Sequence, residues 1–386
     1  MPPAQPPRFA DCLALLAALI VGGASGATAA AAPAVRVEVL AETPSVRVTV
    51  DGPCEVRTGS DRAFLKTVPE LRWQLVQPSP RGLQIGTLTV PAQQVHLVPS
   101  KRSWIRLNGT RSRGALIILR RDATHVQVVN EMLLEDYLKG VVPREVDARW
   151  PMETLKAQAI IARTFTLQQI ADCAGQPFDV TMIWPQLYGG LLDERPRATE
   201  AVDATRGLVV TSGHQLVLTY YHTVCGGRTE DVEAVWPSVR SPSLRSVECP
   251  YCRGAPHERW TVSLGAEALE QALARQGIVV GAVTDLQAGP RNRSGRVTTV
   301  TVVGADGSAR VPALQLRTAL GPNRLRSTNF TVRSEGRRWL FQGVGWGHGV
   351  GLCQWGAARL GQRKQTAKKI LAIYYPGAEI VSWPKP

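Results

Sequence analysis

The amino-acid sequence predicts an α+β protein, in which a β-rich N-terminal region precedes a longer region of mixed helices and strands. Two observations support this fold class. Residues 35–39 and 46–50 alternate apolar and polar side chains with period two, as half-buried strands do. Residues 151–172 instead place apolar side chains near one helical stripe. Strands therefore dominate the start of the chain, and helices enter later.

Further elements are predicted wherever a strand or helix pattern lies between turn residues. The predicted strands are 82–90, 115–119, 126–129, 297–303 and 339–341. The predicted helices are 133–138, 151–172, 265–276 and 367–374. Pro151 suits the first turn of the longest helix, and Gly175 and Pro177 end it.

The N-terminus has the pattern of a signal peptide. A basic residue precedes an apolar run at 13–21, and small residues follow at 22–32. We therefore predict a signal peptide at 1–32 and export from the cytoplasm, with an uncleaved N-terminal anchor as the alternative. The β-rich region then covers 33–125, and the mixed region covers 126–380.

The charge of the chain favours an anionic partner. The sequence has 45 basic and 31 acidic residues, a formal net charge of +14. Such a charge attracts polyanions over long range. Nucleic acid is not the expected partner, because the chain is predicted to be exported and has no block of consecutive basic residues that would indicate a nucleic-acid-binding tail. An anionic polymer outside the cytoplasm fits better.

Cysteine spacing suggests a metal site. Beyond the signal peptide the chain has Cys54, Cys173, Cys225, Cys249, Cys252 and Cys353. Cys249 and Cys252 are separated by two residues, a spacing that suits either a zinc knuckle or an extracytoplasmic disulfide. We favour a structural zinc ion, with Cys225 and His257 completing the ligand set and His222 as the alternative fourth ligand.

Sequence blocks in a fixed order carry a family resemblance. They are LEDYLKGVVPREV at 134–146, PMETLKAQA at 151–159, QLYGG at 186–190, YHTVCGGRTE at 221–230 and GWGHGVGLCQWGA at 345–357. In this order they resemble the SpoIID/LytB family, named for stage II sporulation protein D. In the usual pattern of this family, methionine stands at the position of Val146 and a small residue at the position of Cys353. Neither difference removes an ionisable group from this chain.

The resemblance implies a lytic transglycosylase that cleaves the glycan strands of peptidoglycan and leaves 1,6-anhydromuramic ends. It assigns the role of general acid and then base to Glu145, and the reaction requires no metal. Desolvation by apolar neighbours is expected to raise the pKa of this carboxyl group. The candidate apolar neighbours are Val141, Val142, Pro143, Val146 and Trp150. The nearby acids Glu135 and Asp136 are interpreted as solvated or capping groups.

The remaining motif residues are candidates for binding the glycan. They are Lys156, Gln158, Arg163, Tyr188, His222, Gly226, Gly227, His348 and Gln354. Polar and charged groups among them suit acetamido and carboxylate groups, and an aromatic ring beside glycines suits a sugar face. Alternatives stay open: a solvated position for Lys156, a core position for Tyr188 and a structural role for His222.

The resemblance also implies an alternative function. Some relatives are non-catalytic wall-binding proteins that activate a cell-wall amidase. A zinc hydrolase is a weaker hypothesis, because a closed cysteine-rich site leaves no coordination position for water. The expected location is the periplasm, the cell wall or the medium, with membrane contact only through an uncleaved signal segment.

Overall fold

A computed structural model describes residues 32–183 and 185–383. The predicted signal peptide lies almost entirely outside these residues. The described chain has about 25% helix and 37% strand, which confirms the α+β class. Among the described residues, no helix combines the length and apolar character that crossing a membrane requires.

Among the described residues, twelve strands precede the first helix. They are β1 (Ala34–Thr43), β2 (Val46–Val50), β3 (Cys54–Thr58), β4 (Ala63–Val68), β5 (Leu71–Ser79), β6 (Gly82–Ile85), β7 (Leu88–Val90), β8 (Gln94–Pro99), β9 (Ile105–Leu107), β10 (Thr110–Ser112), β11 (Ala115–Arg120) and β12 (Val126–Leu133). Strands are present at the predicted positions 35–39, 46–50, 115–119 and 126–129, and the structure adds others between them. The single strand predicted at 82–90 is instead a hairpin, in which β6 pairs with β7 in antiparallel orientation.

Helices and short strands then alternate. In order they are α1 (Leu134–Glu145), α2 (Met152–Asp172), β13 (Val180–Thr181), α3 (Pro196–Ala204), β14 (Leu208–Ser212), β15 (Gln215–Leu216), β16 (Tyr221–His222), α4 (Val232–Val235), β17 (Arg259–Gly265), α5 (Ala266–Ala274), β18 (Val283–Ala288), β19 (Thr299–Gly304), β20 (Gly307–Pro312), α6 (Ala313–Leu320), β21 (Phe330–Glu335), β22 (Arg338–Val344), β23 (Leu352–Cys353), α7 (Gln354–Gln362), α8 (Ala367–Tyr374) and β24 (Glu379–Ser382).

The chain divides into two compact units. Of the described residues, the first contains those up to Arg149, then Gln158–Val209 and those from Ser382. The second contains Trp150–Ala157 and Val210–Val381.

Two sheets build the core of the first unit. One has the strand order β13-β1-β12-β11-β8-β3-β4, and the other has the order β10-β9-β2-β5-β6-β7. Val46, Val48 and Val50 of β2 share one buried cluster with Leu116 and Ile118 of β11. The two sheets therefore pack against each other. The alternation predicted at 46–50 is confirmed, because Arg47, which lies between the buried valines, is exposed.

The first helix is longer than its sequence pattern predicted. The prediction ended at residue 138, but α1 continues to Glu145 and includes Pro143. A proline ring disfavours continuation of a helix. Here α1 ends two residues later, and the backbone N–H of Val146 donates to the carbonyl oxygen of Val142 at 3.1 Å. This extension places Glu145 at the C-terminal end of a helix.

The second unit has a separate apolar core between residues 260 and 341. Strands β17, β22 and β21 form one antiparallel sheet, and β18, β19 and β20 form another. Trp260, Leu269, Leu316, Trp339 and Phe341 lie in one buried cluster that joins both sheets to α5 and α6. Residues 253–351 lie between Cys252 and β23, and we call them the inserted segment.

Candidate functional sites

Glu145 is held by the backbone of a neighbouring segment. Its Oε1 accepts a hydrogen bond of 2.7 Å from the backbone N–H of Leu187. The side chain is half-buried at the end of α1. A hydrogen bond from a backbone donor fixes the orientation of a carboxyl group. The structure therefore places Glu145 as an oriented carboxyl group that still reaches solvent.

The segment that holds Glu145 is itself packed against α1. The backbone N–H of Gly189 donates to the carbonyl oxygen of Gly140 at 3.1 Å. The ring of Tyr188 stacks on Tyr137 with centroids 5.1 Å apart, and its hydroxyl group donates to the sulfur of Met132 at 3.2 Å. These contacts fix residues 187–189, and they thereby fix the donor that orients Glu145.

Gly140 permits this close packing. A Cβ atom at residue 140 would lie 2.6 Å from Cε2 of Tyr188 and 3.2 Å from the carbonyl oxygen of Gly190. Both distances are shorter than ordinary van der Waals contact. The absence of a side chain at residue 140 therefore sets the distance between α1 and the segment that orients the carboxyl group.

We expect Gly140→Ala to destabilise the protein by about 1–3 kcal/mol, because the added methyl group overpacks a rigid contact. We also expect it to displace Leu187 and thereby to lower any activity that depends on Glu145. Urea unfolding and a glycan-cleavage assay measure the two effects. Gly265→Ala is the matched control, because a Cβ atom there has its nearest neighbour at 3.7 Å. Equal stability and activity of the two variants would contradict this prediction.

Exposed apolar side chains lie on the segment that holds Glu145. Met182, Ile183, Leu187 and Leu192 are exposed, and Ile183 and Leu192 are each more than 70% accessible. The backbone N–H of Tyr188 donates to the carbonyl oxygen of Met182 at 2.8 Å, which folds this segment back on itself. The carboxyl group therefore lies beside a segment with an exposed apolar surface.

Three predicted glycan-binding residues are buried instead. Gln158 and Arg163 are each 1% exposed, and Tyr188 is 6% exposed. Residues 157–166 of α2 are buried on every face of the helix, so its polar side chains do not form a solvent-facing stripe. The burial of these three side chains disfavours the prediction that they contact a glycan. The alternative of a core position for Tyr188 is confirmed.

Arg163 belongs to a buried ion pair. Its Nε and Nη2 atoms donate to the two carboxylate oxygens of Glu135, each at 2.8 Å. The same guanidinium group donates to the carbonyl oxygens of Val202 and Leu208. The sequence suggested that Glu135 is a solvated or capping group, but in the structure it is neither. It pairs with Arg163 across the core of the first unit.

Lys156 lies at a partly exposed position. Its Nζ donates to Glu153 at 2.8 Å, and the side chain of Lys156 is 30% exposed. Glu153 also accepts a hydrogen bond from the backbone N–H of Ala367. The charge of Lys156 is thus paired at the start of α2, which is consistent with the alternative of a surface position.

His222 and His348 lie together in the second unit. Their ring centroids are 5.7 Å apart, and Trp236 packs 5.1 Å from His348. Nδ1 of His222 bonds to the carbonyl oxygen of Val350, whose backbone N–H donates to Nδ1 of His348. Burial lowers the pKa of His222 well below its ordinary value, and burial together with the Arg317 charge lowers the pKa of His348 to about 3. Both rings are therefore neutral at physiological pH.

The glycine-rich segment 345–351 serves close packing. A Cβ atom at Gly347 would lie 2.7 Å from Cβ of His222, and one at Gly349 would lie 2.4 Å from the guanidinium group of Arg296. Gly347 and Gly349 also have positive φ angles of 115° and 91°. Close neighbours within the protein thus explain why residues 347 and 349 are glycine.

Three further predicted binding positions, Gly226, Gly227 and Gln354, belong to the same packed region. Gly226 and Gly227 form a turn with φ angles of 79° and 109°. A Cβ atom at Gly226 would lie 3.0 Å from Val344. Gln354 is the first residue of α7 and is 5% exposed. A buried side chain is a poor ligand for a polymer, so this burial disfavours the predicted glycan contact at Gln354.

Four cysteines converge in the second unit. The Sγ atoms of Cys225, Cys249, Cys252 and Cys353 all lie within 4.8 Å of one another, and all four residues are buried. The structure therefore brings Cys353, and neither candidate histidine, together with the three cysteines that were predicted as ligands. His257 instead packs edge-on against Trp346 at 5.0 Å, and its Nδ1 pairs with Arg326. His222 bonds to the backbone and is not part of the sulfur cluster.

Comparisons with known proteins agree with the family suggested by the sequence blocks. The profile of the family described as "Stage II sporulation protein" matches residues 122–212, and a profile for the domain of unknown function DUF8618 matches residues 253–351. An uncharacterized protein of Brachyspira hyodysenteriae is 37% identical over 304 residues, which cover 78% of this chain and 80% of that protein. The chain belongs to the SpoIID family.

Two relatives from Bacillus subtilis carry functional names. Stage II sporulation protein D is 29% identical over 274 residues, which cover 66% of this chain and 76% of that protein. The amidase enhancer is 26% identical over 294 residues, which cover 64% of this chain. The matched region spans only 40% of the amidase enhancer, so most of that protein has no counterpart in the alignment.

Proposed function

We propose that this protein is an exported lytic transglycosylase that cleaves the glycan strands of peptidoglycan, with Glu145 as the general acid and base. The observation that carries the proposal is the oriented, half-buried carboxyl group of Glu145 at the end of α1. The family to which the chain belongs and the names of its Bacillus relatives support a role at the cell wall.

The proposed reaction needs one carboxyl group. The protonated carboxyl group of Glu145 donates its proton to the bridging oxygen as the bond between that oxygen and the anomeric carbon of muramic acid breaks. The resulting carboxylate then removes the proton from the 6-hydroxyl group of the same sugar. The 6-oxygen bonds to the anomeric carbon and closes the anhydro ring. Water is not consumed, and the carboxyl group of Glu145 ends the cycle protonated.

Neighbouring charges are consistent with this use of a single carboxyl group. Asp147 pairs with Arg149 at 2.7 Å, and Asp193 pairs with Arg144 at 3.5 Å. Ordinary glycosidases use two catalytic carboxyl groups across the scissile bond. In this proposal the second group is unnecessary, because the nucleophile belongs to the substrate. The net charge of +14 suits attraction to an anionic wall polymer.

The products of purified glycan strands test the proposal. The full mature chain is incubated with strands that keep their peptide stems and with strands stripped of them, and the products are separated by mass spectrometry. We expect muramic acid ends that lack one water molecule relative to reducing ends. Reducing ends alone would indicate hydrolysis and overturn the transglycosylase assignment. Intact strands in both samples would overturn cleavage altogether.

The similarity to an amidase enhancer favours one alternative function, activation of a cell-wall amidase. A purified wall amidase, assayed on intact peptidoglycan with and without this protein, tests it. Faster release of stem peptides without any change in glycan chain length would support activation alone. Shortened glycan strands with anhydro ends would instead support the transglycosylase.

A further inference from the structure

We propose that Cys225, Cys249, Cys252 and Cys353 bind one zinc ion through four thiolates. Their Sγ atoms converge within 4.8 Å of one another at a buried position. A tetrahedral zinc site with Zn–S bonds of about 2.3 Å has sulfur atoms about 3.8 Å apart. The sulfur cluster thus has the size of an all-cysteine zinc site. The inference concerns this cluster alone and does not depend on the proposed reaction.

The sulfur geometry favours a metal over disulfides. The closest contact described, between the Sγ atoms of Cys225 and Cys252, is 3.4 Å. A disulfide bond joins sulfur atoms at about 2.05 Å. All four cysteines are free thiols in the structure. Each faces the other three, whereas two disulfides would divide them into separate pairs.

Hydrogen-bond donors surround the sulfur atoms. The backbone N–H groups of Cys225 and Gly356 donate to Sγ of Cys353 at 3.3 and 3.4 Å. The hydroxyl group of Tyr374 lies 3.1 Å from Sγ of Cys249, at donor distance from a thiolate. Such donors orient metal ligands and stabilise the charge on thiolate sulfur.

A buried cation lies beside the cluster. Four thiolates and one Zn²⁺ carry a net charge of −2, which is unfavourable in an apolar interior unless it is offset. Arg296 is 2% exposed, and its guanidinium group donates to the carbonyl oxygen of Cys225 at 2.9 Å. The Nε atom of Arg296 has no hydrogen-bond partner among the described residues. Its positive charge is thus placed next to a ligand residue.

The cluster joins the two ends of the inserted segment. Cys252 immediately precedes residues 253–351, and Cys353 follows them at the end of β23. Cys225 comes from the chain after β16, which pairs with β23. A metal ion bound here links three distant stretches of sequence. Four protein ligands fill a tetrahedral site and leave no position for water, so its role is structural.

Metal content of the purified full chain tests the inference. We expect about one zinc ion per chain in the wild type and less than about a tenth of that in Cys353→Ser, because one lost thiolate opens the site. Cys173→Ser is the matched control, since Cys173 lies outside the cluster. His257→Ala distinguishes Cys353 from His257 as the fourth ligand, and we expect this variant to retain its zinc. Zinc loss in His257→Ala but not in Cys353→Ser would overturn the assignment.

A second measurement on the wild type covers the case in which Cys353→Ser does not fold. After replacement of zinc by cobalt(II), four thiolate ligands give intense visible bands and a sulfur-to-metal charge-transfer band, and a histidine ligand moves the visible bands to shorter wavelength. We expect the four-thiolate spectrum. A chain without metal, and with a mass that shows cysteine pairs oxidised to disulfides, would overturn the proposal. Both readouts are independent of glycan cleavage.

Discussion

Glu145→Gln is expected to lower the rate of glycan cleavage by about 10²–10⁴-fold, because an amide has no acidic proton to deliver to the leaving oxygen. The substitution is conservative for the fold. The amide oxygen of glutamine can still accept the hydrogen bond that Leu187 donates to Oε1 of Glu145. We therefore expect the variant to unfold at the same urea concentration as the wild type. The rate is measured from the appearance of anhydro ends.

The control for this experiment removes a different negative charge nearby. Asp147→Asn changes a carboxylate two residues away that pairs with Arg149. We expect this variant to cleave glycan at the rate of the wild type. If Glu145→Gln also retains the full rate, Glu145 is not the acid. If it retains only the activation of an amidase, the chain has both roles, and they are separable.

The second large effect concerns stability. Arg163→Met is expected to destabilise the protein by about 3–5 kcal/mol, because it leaves the carboxylate of Glu135 buried without its partner. Arg163 is 1% exposed and donates twice to Glu135, whose side chain is 13% exposed. The double variant Arg163→Met/Glu135→Leu removes both charges and is expected to recover much of this loss. Urea unfolding of the four combinations gives the coupling free energy.

An exposed ion pair provides the comparison. Arg149 is 90% exposed and pairs with Asp147 at the surface. We expect Arg149→Met to leave the unfolding midpoint unchanged, because water solvates the remaining carboxylate. Equal midpoints for Arg163→Met and the wild type would show that the buried pair does not stabilise the first unit.

Periodicity predicted the elements that have one solvated face. Val46, Val48 and Val50 alternate with the exposed Arg47 and the half-buried Thr49, and their strand was predicted with its actual bounds. The helix at 367–374 was likewise predicted with its actual bounds. The pattern failed for α2, because residues 157–166 are buried on every side and the helix has no polar face. Polar residues such as Gln158 and Arg163 then resembled surface ligands, although they lie in the interior.

The sites were predictable only as far as single motifs extend. The block around Glu145 identified the carboxyl group, but its hydrogen-bond donor is a backbone N–H at Leu187, which no side-chain pattern reveals. The Cys249–Cys252 spacing identified half of the sulfur cluster. Cys353 lies 101 positions beyond Cys252, and only the return of the chain after the inserted segment brings it close. A cysteine at a position where the family usually has a small residue was the available signal.

The inserted segment leaves the rest of the fold and returns to it at nearly the same point, because Cys252 and Cys353 have their sulfur atoms within 4.8 Å. It also has its own apolar core, with Trp260 and Trp339 among its buried residues. A module with adjoining ends can be gained, lost or exchanged during evolution without moving the elements that flank it. The architecture thereby allows this part of the chain to diversify with little effect on the elements at its two ends.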